Sequence, residues 1–174
     1  AVIEGYESIW PANNAGVRRG DVWTYTSLRI LGQPGSDLVP FHKLSQWLTY
    51  SLLEPIENLG IKFTEMELMT GLAEYRNGGL FVDAGVITPK DEETYKLSFD
   101  TGTELVVEWR ALTVCLLDEV HKIVLKELNK TNDEFPLAKV LQGGTWTAGR
   151  KYAAKLRPTT NKPPISIRST GTVF

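Results

Sequence analysis

The segment 101–129 constrains the fold of this chain more than any other part of the sequence. Thr101 and Glu104 have the spacing of a capping box, in which each side chain satisfies a free backbone amide near the helix start. Large apolar side chains then recur at helical spacing. The apolar face consists of Leu105, Trp109, Leu112, Leu116, Val120 and Ile123, and it is flanked by Val106, Thr113, Leu117, Val124 and Leu128. A stripe this wide must be covered by other elements, so we predict a long central helix.

Three further segments show the helical period. Residues 41–60 predict a helix that Pro55, which lacks an amide hydrogen, should break or kink. Residues 64–75 predict a second helix, because they open with another capping-box spacing. Residues 136–156 predict a last helix, interrupted by the glycine pair 143–144.

The remaining segments predict less regular structure. Residues 1–40 are rich in glycine and proline but carry large aromatic side chains, so we expect a loop-rich arm packed on the body. The apolar run 80–87 is too short to separate helix from strand. Residues 165–174 alternate weakly and predict one short extended segment. The sequence therefore predicts a mainly α fold.

Composition narrows both the fold and the class of protein. The chain has 174 residues, 42% of them hydrophobic, and a chain of this size can fold without a metal or disulfide. We predict a single helical domain over residues 1–174. The net charge of −2 argues against a protein that binds nucleic acid along a basic face. No apolar run has the length of a membrane span, and the N-terminus lacks a signal-peptide pattern, so we expect a cytoplasmic protein without a membrane partner.

Residue types that often carry chemistry are more simply interpreted as structural here. Cys115 is the one cysteine of the sequence, which excludes an internal disulfide. It lies among apolar residues and is predicted to be buried rather than reactive. His42 and His121 lie on different predicted helices, and we expect each to be a surface or satisfied residue. The sequence offers no metal-ligand set and no phosphate-loop or dinucleotide motif.

The segment 74–83, EYRNGGLFVD, is the first candidate for a site. Its carboxylates, Glu74 and Asp83, stand with Arg76 and Asn77 around a glycine pair, which permits close ligand approach. Two carboxylates can divide the roles of acid and base when their surroundings differ. The alternative is an ordinary helix end with a surface ion pair between Glu74 and Arg76.

Charged residues inside the long helix form the second candidate. Glu104 and Glu108 are four residues apart and can project on one face, and Arg110 follows them. Charges within an apolar helix are costly unless they are paired or face a cavity. The alternative, which we weigh equally, is a solvent-facing strip.

The third candidate is the segment 142–150, QGGTWTAGR. A glycine pair followed by Thr145 and a helix would leave amide hydrogens free at a helix start, which favours anion binding. Arg150 would add a bidentate contact to a phosphate or carboxylate. The alternative is a simple helix break with a packed Trp146.

Long stretches of the sequence resemble the uracil-catabolism protein family of fungi and bacteria, a domain of unknown function. The stretches are GVRRGDVW (16–23), LVPFHKLSQWLTYSLLEP (38–55), GLAEYRNGGLFVDAGV (71–86), GTELVVEWRALTV (102–114), GGTWTAGR (143–150) and GTVF (171–174). Members of that family are longer. The resemblance therefore implies that this chain is the C-terminal part of a larger protein, with the N-terminal part of the same protein as a partner.

A shorter pattern is similar to the queuosine-salvage nucleosidases. It consists of EYRNGGLFVDAGVI followed by GTELVVEWRALTV. The matching residues are Glu74, which stands where that family has Asp, Tyr75, Arg76, Glu108 and Arg110. This likeness implies a helical, DNA-glycosylase-like fold and hydrolysis of an N-glycosidic bond. The chain departs from the pattern at residues 77–79, where it has Asn-Gly-Gly, so the substrate stays open.

Together the two resemblances imply an enzyme of pyrimidine breakdown. The expected reaction cleaves a ribosylurea-type nucleotide to urea and ribose phosphate. The sugar develops oxocarbenium character in such a reaction, and Glu74 or Asp83 would stabilise it and orient water. Glu108 would orient an arginine or a ribose hydroxyl.

The resemblances also imply contacts to the substrate. Arg76, Arg110 or Arg150 would hold the phosphate, and Gln46 and Asn77 would read the amide edge of the leaving group. Neither a metal nor a cofactor is expected. Two alternatives stay open: a non-catalytic half that binds a ligand or partner, and an amide hydrolase of the same pathway.

Overall fold

Helices follow one another along most of the chain. The computed structural model describes residues 20–169 together with Gly171 and Val173. Its helices are α1 (Lys43–Glu57), α2 (Tyr75–Asp83), α3 (Glu104–Leu128), α4 (Leu137–Val140) and α5 (Thr147–Leu156). A π-helical turn (Leu141–Trp146) joins α4 to α5 without a break. The predicted mainly α fold is confirmed.

Two small sheets tie distant segments to the helices. Strand β1 (Val22–Thr24) pairs antiparallel with β2 (Leu38–Pro40), and β3 (Ser98–Asp100) pairs parallel with β4 (Ser166–Arg168). The extended segment expected within 165–174 is confirmed as β4. Of the predicted arm, residues 1–19 lie outside the described residues, whereas Trp23 on β1 is buried in the core.

Helix α3 is the centre of the core, as predicted. Val106, Val107 and Leu117 have no exposed surface. Val107 packs with Trp23 and Phe41, whereas Leu117 packs in a separate group. One helix therefore contributes to several apolar clusters, as its wide stripe requires.

The buried face of α3 differs from the predicted one. Leu112 and Ile123, expected to be covered, are 42% and 58% exposed. The buried residues are Val106, Val107, Trp109, Arg110, Thr113, Leu117 and His121. Trp109 of the predicted face and its flanking residues Val106, Thr113 and Leu117 are among them. Arg110 and His121 were not predicted, because they are polar side chains that are buried with hydrogen-bond partners. The capping box is also wrong, since the side chain of Thr103, at the N-cap, makes no capping bond and Glu104 accepts hydrogen bonds from Thr26.

Helix α2 begins where the predicted second helix was to end. Residues 64–74 contain only a 3-10 turn (Met66–Leu68), so the helix predicted over 64–75 is wrong. The glycines expected to interrupt the pattern lie inside α2. A Cβ at Gly78 would lie 2.8 Å from Oγ1 of Thr113, so the missing side chain lets α2 pack closely against α3. The run after residue 80 continues the helix to Asp83.

Helix α1 continues past Pro55 to Glu57, so the predicted break is wrong. Helical hydrogen bonding resumes after Pro55, because the amide of Asn58 donates to the carbonyl oxygen of Glu54. No residue of α1 is fully buried. This helix therefore forms an outer wall of the molecule.

The glycine pair 143–144 does not interrupt the last helix. Helix α4, the π-helical turn and α5 form one continuous helical path. The amides after the glycines therefore lie within that path, and the predicted anion site at a free helix start is wrong. A wide turn of this kind often marks a functional position in a helix.

The predictions for Cys115 and the two histidines had different outcomes. Cys115 is exposed rather than buried, because it shares the solvent face of α3 with Leu112 and Glu119 at helical spacing. His121 is buried and its Nε2 lies 2.8 Å from the carbonyl oxygen of Phe135. His42 has a left-handed backbone, with φ 49°, and its buried Nδ1 has no hydrogen-bond partner among the described residues.

The described residues include neither a membrane-spanning helix nor a cluster of metal ligands. No helix among residues 20–169 combines the length and apolar character needed to cross a bilayer. The same part of the chain contains no group of three or more His, Cys, Asp or Glu residues arranged to hold a metal ion.

Candidate functional site

A cavity of about 500 Å³ opens where α1, the start of α2 and the π-helical turn meet. Its size suits a small organic ligand. The polar residues that line it are Lys43, Tyr50, Ser51, Glu74, Asn77 and Gln142. Two indole rings, those of Trp47 and Trp146, also line it. The cavity therefore combines a few polar groups with flat apolar surfaces.

Glu74 is the buried carboxylate of this cavity. It is the N-cap of α2, and its Oε2 accepts hydrogen bonds from the amides of Arg76 at 3.0 Å and Asn77 at 3.3 Å. Such a cap satisfies two amides at the helix start. Burial raises the pKa of Glu74 above its ordinary 4.5, although Lys43 and the two amides act in the opposite direction. The site thus holds a fixed carboxyl group with increased basicity.

Lys43, the first residue of α1, is the cation of the same cavity. Its Nζ donates to the carbonyl oxygen of Gly171 at 3.4 Å. Burial lowers the pKa of Lys43, whereas the charge of Glu74 raises it. The two side chains therefore act on each other's charge without a direct ion pair between them. Burial thus raises the pKa of Glu74 and lowers that of Lys43, and perturbed pKa values of this kind are common at functional sites.

Two other polar groups of the cavity are fixed by the protein. The Tyr50 hydroxyl donates to the carbonyl oxygen of Thr70 at 2.9 Å, and burial raises the pKa of Tyr50 to about 12. Asn77 donates through Nδ2 to Leu72 and accepts from Thr145 through Oδ1. Tyr50 therefore stays protonated near neutral pH, and Asn77 supports the wall more than it is free to bind.

Gln46 lies on α1 behind the cavity wall. Its Nε2 donates to Oγ1 of Thr70 at 2.6 Å, and its Oε1 accepts from the Thr70 amide at 3.1 Å. Gln46 is not among the residues that line the cavity. In the structure it fixes the segment before α2.

The two predicted carboxylates are not brought together. Glu74 and Asp83 stand at opposite ends of α2, about 13 Å apart along the axis at the usual rise per residue. Asp83 forms two hydrogen bonds with Arg157, of 2.9 and 2.5 Å. It lines neither described cavity.

The two residues of the Glu-x-Arg pair point to different environments. Arg110 is fully buried and contacts both carboxylate oxygens of Asp21, at 2.7 and 2.6 Å. It also donates to the carbonyl oxygen of Val173 at 2.6 Å. Glu108 is exposed on the outer side of α3. Neither residue lines the cavity that holds Glu74.

The remaining predicted arginines lie outside the first cavity. Tyr75 and Arg76 line a second cavity of about 410 Å³. Arg150 is exposed and its guanidinium lies 4.9 Å from the ring centre of Trp146, which lines the first cavity. Arg150 therefore supports one of the indole walls.

Several lining residues were missed by the sequence analysis. They are Lys43, Trp47 and Tyr50. The signal was present for α1, because a lysine next to a tryptophan-bearing apolar stripe lies within the long LVPFHKLSQWLTYSLLEP stretch. The pattern could not show that this stripe lines a cavity rather than the core.

Comparison with known proteins defines the family. The family model described as "Protein of unknown function (DUF1688)" matches residues 1–174. The chain belongs to this family. Within it, the chain is 44% identical over 170 residues to Protein urg3 of Schizosaccharomyces pombe, covering 95% of this chain and 41% of that protein. It is 42% identical over 197 residues to Uracil catabolism protein 4 of Lachancea kluyveri, covering 100% and 44%.

These matches confirm the resemblance to the uracil-catabolism family. The chain spans less than half the length of the two relatives. No solved structure matches this DUF1688 chain significantly. The DNA-glycosylase-like fold and the likeness to queuosine-salvage nucleosidases therefore stay predictions.

Replacing Lys43 with Met is expected to raise the pKa of Glu74 further, because the lysine charge now lowers it. A carboxyl-carbon NMR titration of the labelled protein measures this directly. Lys151→Met, which changes an exposed lysine of α5, should leave that pKa unchanged. An identical Glu74 titration in Lys43→Met and wild type would contradict the coupling.

The raised pKa of Glu74 also determines how the contribution of this group to folding stability changes with pH. The folded-state pKa of Glu74 lies above the ordinary value of 4.5, so the folded chain keeps this proton to higher pH than the unfolded chain. The stabilising contribution of this group is present below pH 4.5 and is lost as the pH rises through the folded-state pKa. In Lys43→Met this loss should occur at higher pH.

Proposed function

We propose that this chain carries the catalytic site of an enzyme of uracil catabolism that hydrolyses the N-glycosidic bond of a ribosylurea-type nucleotide. The pathway is suggested by the name of one relative, Uracil catabolism protein 4. The observation that supports the chemistry is the buried Glu74 carboxylate, held by two backbone amides in a cavity that also contains Lys43.

In the proposed reaction the bond between C1′ of the ribose and the urea nitrogen breaks, and a bond forms between C1′ and a water oxygen. Glu74 accepts the proton of that water, for which its raised pKa suits it. Lys43 donates a proton to the departing urea nitrogen, for which its lowered pKa suits it. The proton on Glu74 then returns to Lys43, which restores both groups. The products are urea and ribose phosphate.

The surroundings support the same reaction. A positively charged sugar develops in glycosidic cleavage, and a nearby fixed carboxylate stabilises it most when water is excluded. The indoles of Trp47 and Trp146 provide flat apolar walls against which the ligand can lie.

The rest of the longer protein is proposed as a partner of this site. Helix α1 forms a wall of the cavity, yet Trp47 on it is 52% exposed and no residue of the helix is fully buried. An additional part of the protein that covers α1 would exclude water from the cavity. This makes the full-length protein the proper material for activity measurements.

The test is product analysis with ribosylurea 5′-phosphate and the full-length protein. We expect equal amounts of urea and ribose 5-phosphate, and a rate about 10²–10⁴-fold lower for Glu74→Gln, the usual range for loss of a general base. Glu127→Gln changes an exposed glutamate of α3 and should retain the wild-type rate. Glu74→Asp, which keeps both a carboxylate and an N-cap, checks that lost activity does not reflect lost folding.

Three results would overturn the proposal. One is an intact substrate with folded wild-type protein. Another is wild-type activity in Glu74→Gln. The third is release of ammonia without ribose 5-phosphate, which would identify an amide hydrolase instead.

A further inference from the structure

The second cavity, of about 410 Å³, is lined by positively charged residues. The polar residues that line it include the cations Arg76 and Lys162 and the hydroxyl of Thr160. Among the described residues, no aspartate or glutamate lines it. A concave surface with two cations and no carboxylate attracts an anion.

Arg76 is held in place by two contacts that leave some of its hydrogen-bond donors available. Its guanidinium carbon lies 4.8 Å from the ring centre of Tyr75, and its Nη1 donates to the carbonyl oxygen of Asn161 at 2.8 Å. Nε and Nη2 make no hydrogen bond among the described residues. A guanidinium fixed in this way loses little side-chain entropy when an anion binds.

The loop that carries Lys162 is also fixed. Arg157 donates through Nε to the carbonyl oxygen of Lys162 at 2.7 Å, and its other end contacts both carboxylate oxygens of Asp83. The amide of Asn161 donates to the carbonyl oxygen of Arg157 at 2.8 Å. Asp83, which lines neither cavity, therefore acts as an anchor for the wall of the second cavity.

The second cavity adjoins the first. Glu74 and Arg76, two residues apart at the start of α2, line the first and the second cavity, respectively. Gly171 lines both. A ligand that occupies the first cavity can therefore place a charged substituent in the second.

We propose that the second cavity binds a phosphate monoester, with Arg76 and Lys162 as the residues that recognise its charge. Resting on the proposed function, this group is the 5′-phosphate of the nucleotide whose glycosidic bond lies beside Glu74. A phosphate monoester carries close to two negative charges at neutral pH, which the two cations match. The guanidinium of Arg76 presents its donors in the planar arrangement that fits phosphate oxygens.

Calorimetric titration of the full-length protein tests the phosphate site without any turnover. Ribose 5-phosphate and inorganic phosphate should both bind, whereas ribose should not compete for this cavity. Lys162→Met should weaken binding of ribose 5-phosphate about ten-fold, the effect of one charged hydrogen bond. Arg76→Met should weaken it about a hundred-fold, because a bidentate contact is lost. Lys155→Met, which changes an exposed lysine of α5, should bind as wild type does.

The outcomes separate this site from the catalytic proposal. Binding that depends on Arg76 and Lys162, together with an absence of urea release, supports the phosphate site and rejects the hydrolase. Urea release with unchanged ribose 5-phosphate affinity in Lys162→Met and in Arg76→Met rejects the phosphate site alone. Inorganic phosphate that binds without inhibiting the hydrolysis would show that the cavity takes free phosphate and not that of the substrate, which also rejects the proposal. No binding of either phosphate to wild type rejects it as well.

Discussion

Arg110→Met is expected to lower the free energy of unfolding by about 3–5 kcal/mol, the usual cost of breaking a buried ion pair from one side. Both Arg110 and Asp21 have no exposed side-chain surface. Without the guanidinium, the Asp21 carboxylate keeps only the indole of Trp23 and the amide of Lys43 as hydrogen-bond donors among the described residues. The carbonyl oxygen of Val173 also loses its charged donor.

Urea denaturation with a constant m-value measures this change. The matched control is Arg29→Met, which breaks the ion pair with Asp37, because the Arg29 side chain is 62% exposed. An exposed pair contributes about 1 kcal/mol or less. Equal stabilities of the two variants would show that the buried pair contributes no more than a surface one.

Loss of this pair should also disturb the first cavity. Asp21 Oδ2 accepts from both Arg110 and the backbone amide of Lys43. Lys43 begins α1, which lines the cavity. Arg110 was expected from the sequence to hold a phosphate, whereas the structure gives it the task of joining β1, α1 and α3.

Gly149→Ala is the second substitution with a large expected effect, a loss of more than about 3 kcal/mol from overpacking. A Cβ at Gly149, on α5, would overlap the carbonyl oxygen of Arg76 and lie 2.9 Å from its carbonyl carbon. These are backbone atoms of α2, which cannot move aside as a flexible side chain can. The two helices would have to separate.

A loss of stability in Gly149→Ala would be the opposite of the usual effect of this substitution in a helix. Inside an exposed helix, replacing Gly with Ala stabilises by about 1 kcal/mol. Gly143→Ala is the control, because a Cβ there meets nothing within 4 Å, and it should be neutral or slightly stabilising. Thermal unfolding of both variants measures the difference in their stabilities. A Gly149→Ala protein as stable as Gly143→Ala would contradict the close contact between α2 and α5.

The sequence predicted those helices whose apolar residues show the helical period within the helix itself. The apolar stripe of α3 is long enough to show its period, although the position of its buried face depended on polar partners from elsewhere. Helix α2 was missed because its glycines resemble a stop. Contacts with distant residues explain them, since Gly78 lies against Thr113 and Trp109 and Gly79 lies against Pro164. A local pattern cannot contain that information.

The site was predicted in part for the same reason. Glu74 and Asn77 were singled out and do line the first cavity, because their candidate segment forms the start of one helix. Arg110 binds a carboxylate 89 positions away in sequence, and Asp83 binds Arg157. Lys43 becomes a partner of Glu74 only when α1 packs beside α2. The sequence could indicate which residues are chemically capable, but it could not indicate which distant side chains they contact.

The π-helical turn Leu141–Trp146 shapes one wall of the first cavity. Such a turn holds one residue more than an α-helical turn. Deletion of Gly143 or Gly144 would remove the extra residue and leave an ordinary α-helical turn, so that α4 and α5 keep nearly the same relative orientation. The change would be confined to the turn itself, where Gln142 lines the cavity. One additional residue therefore alters the shape of the cavity wall without rotating the helices on either side of it.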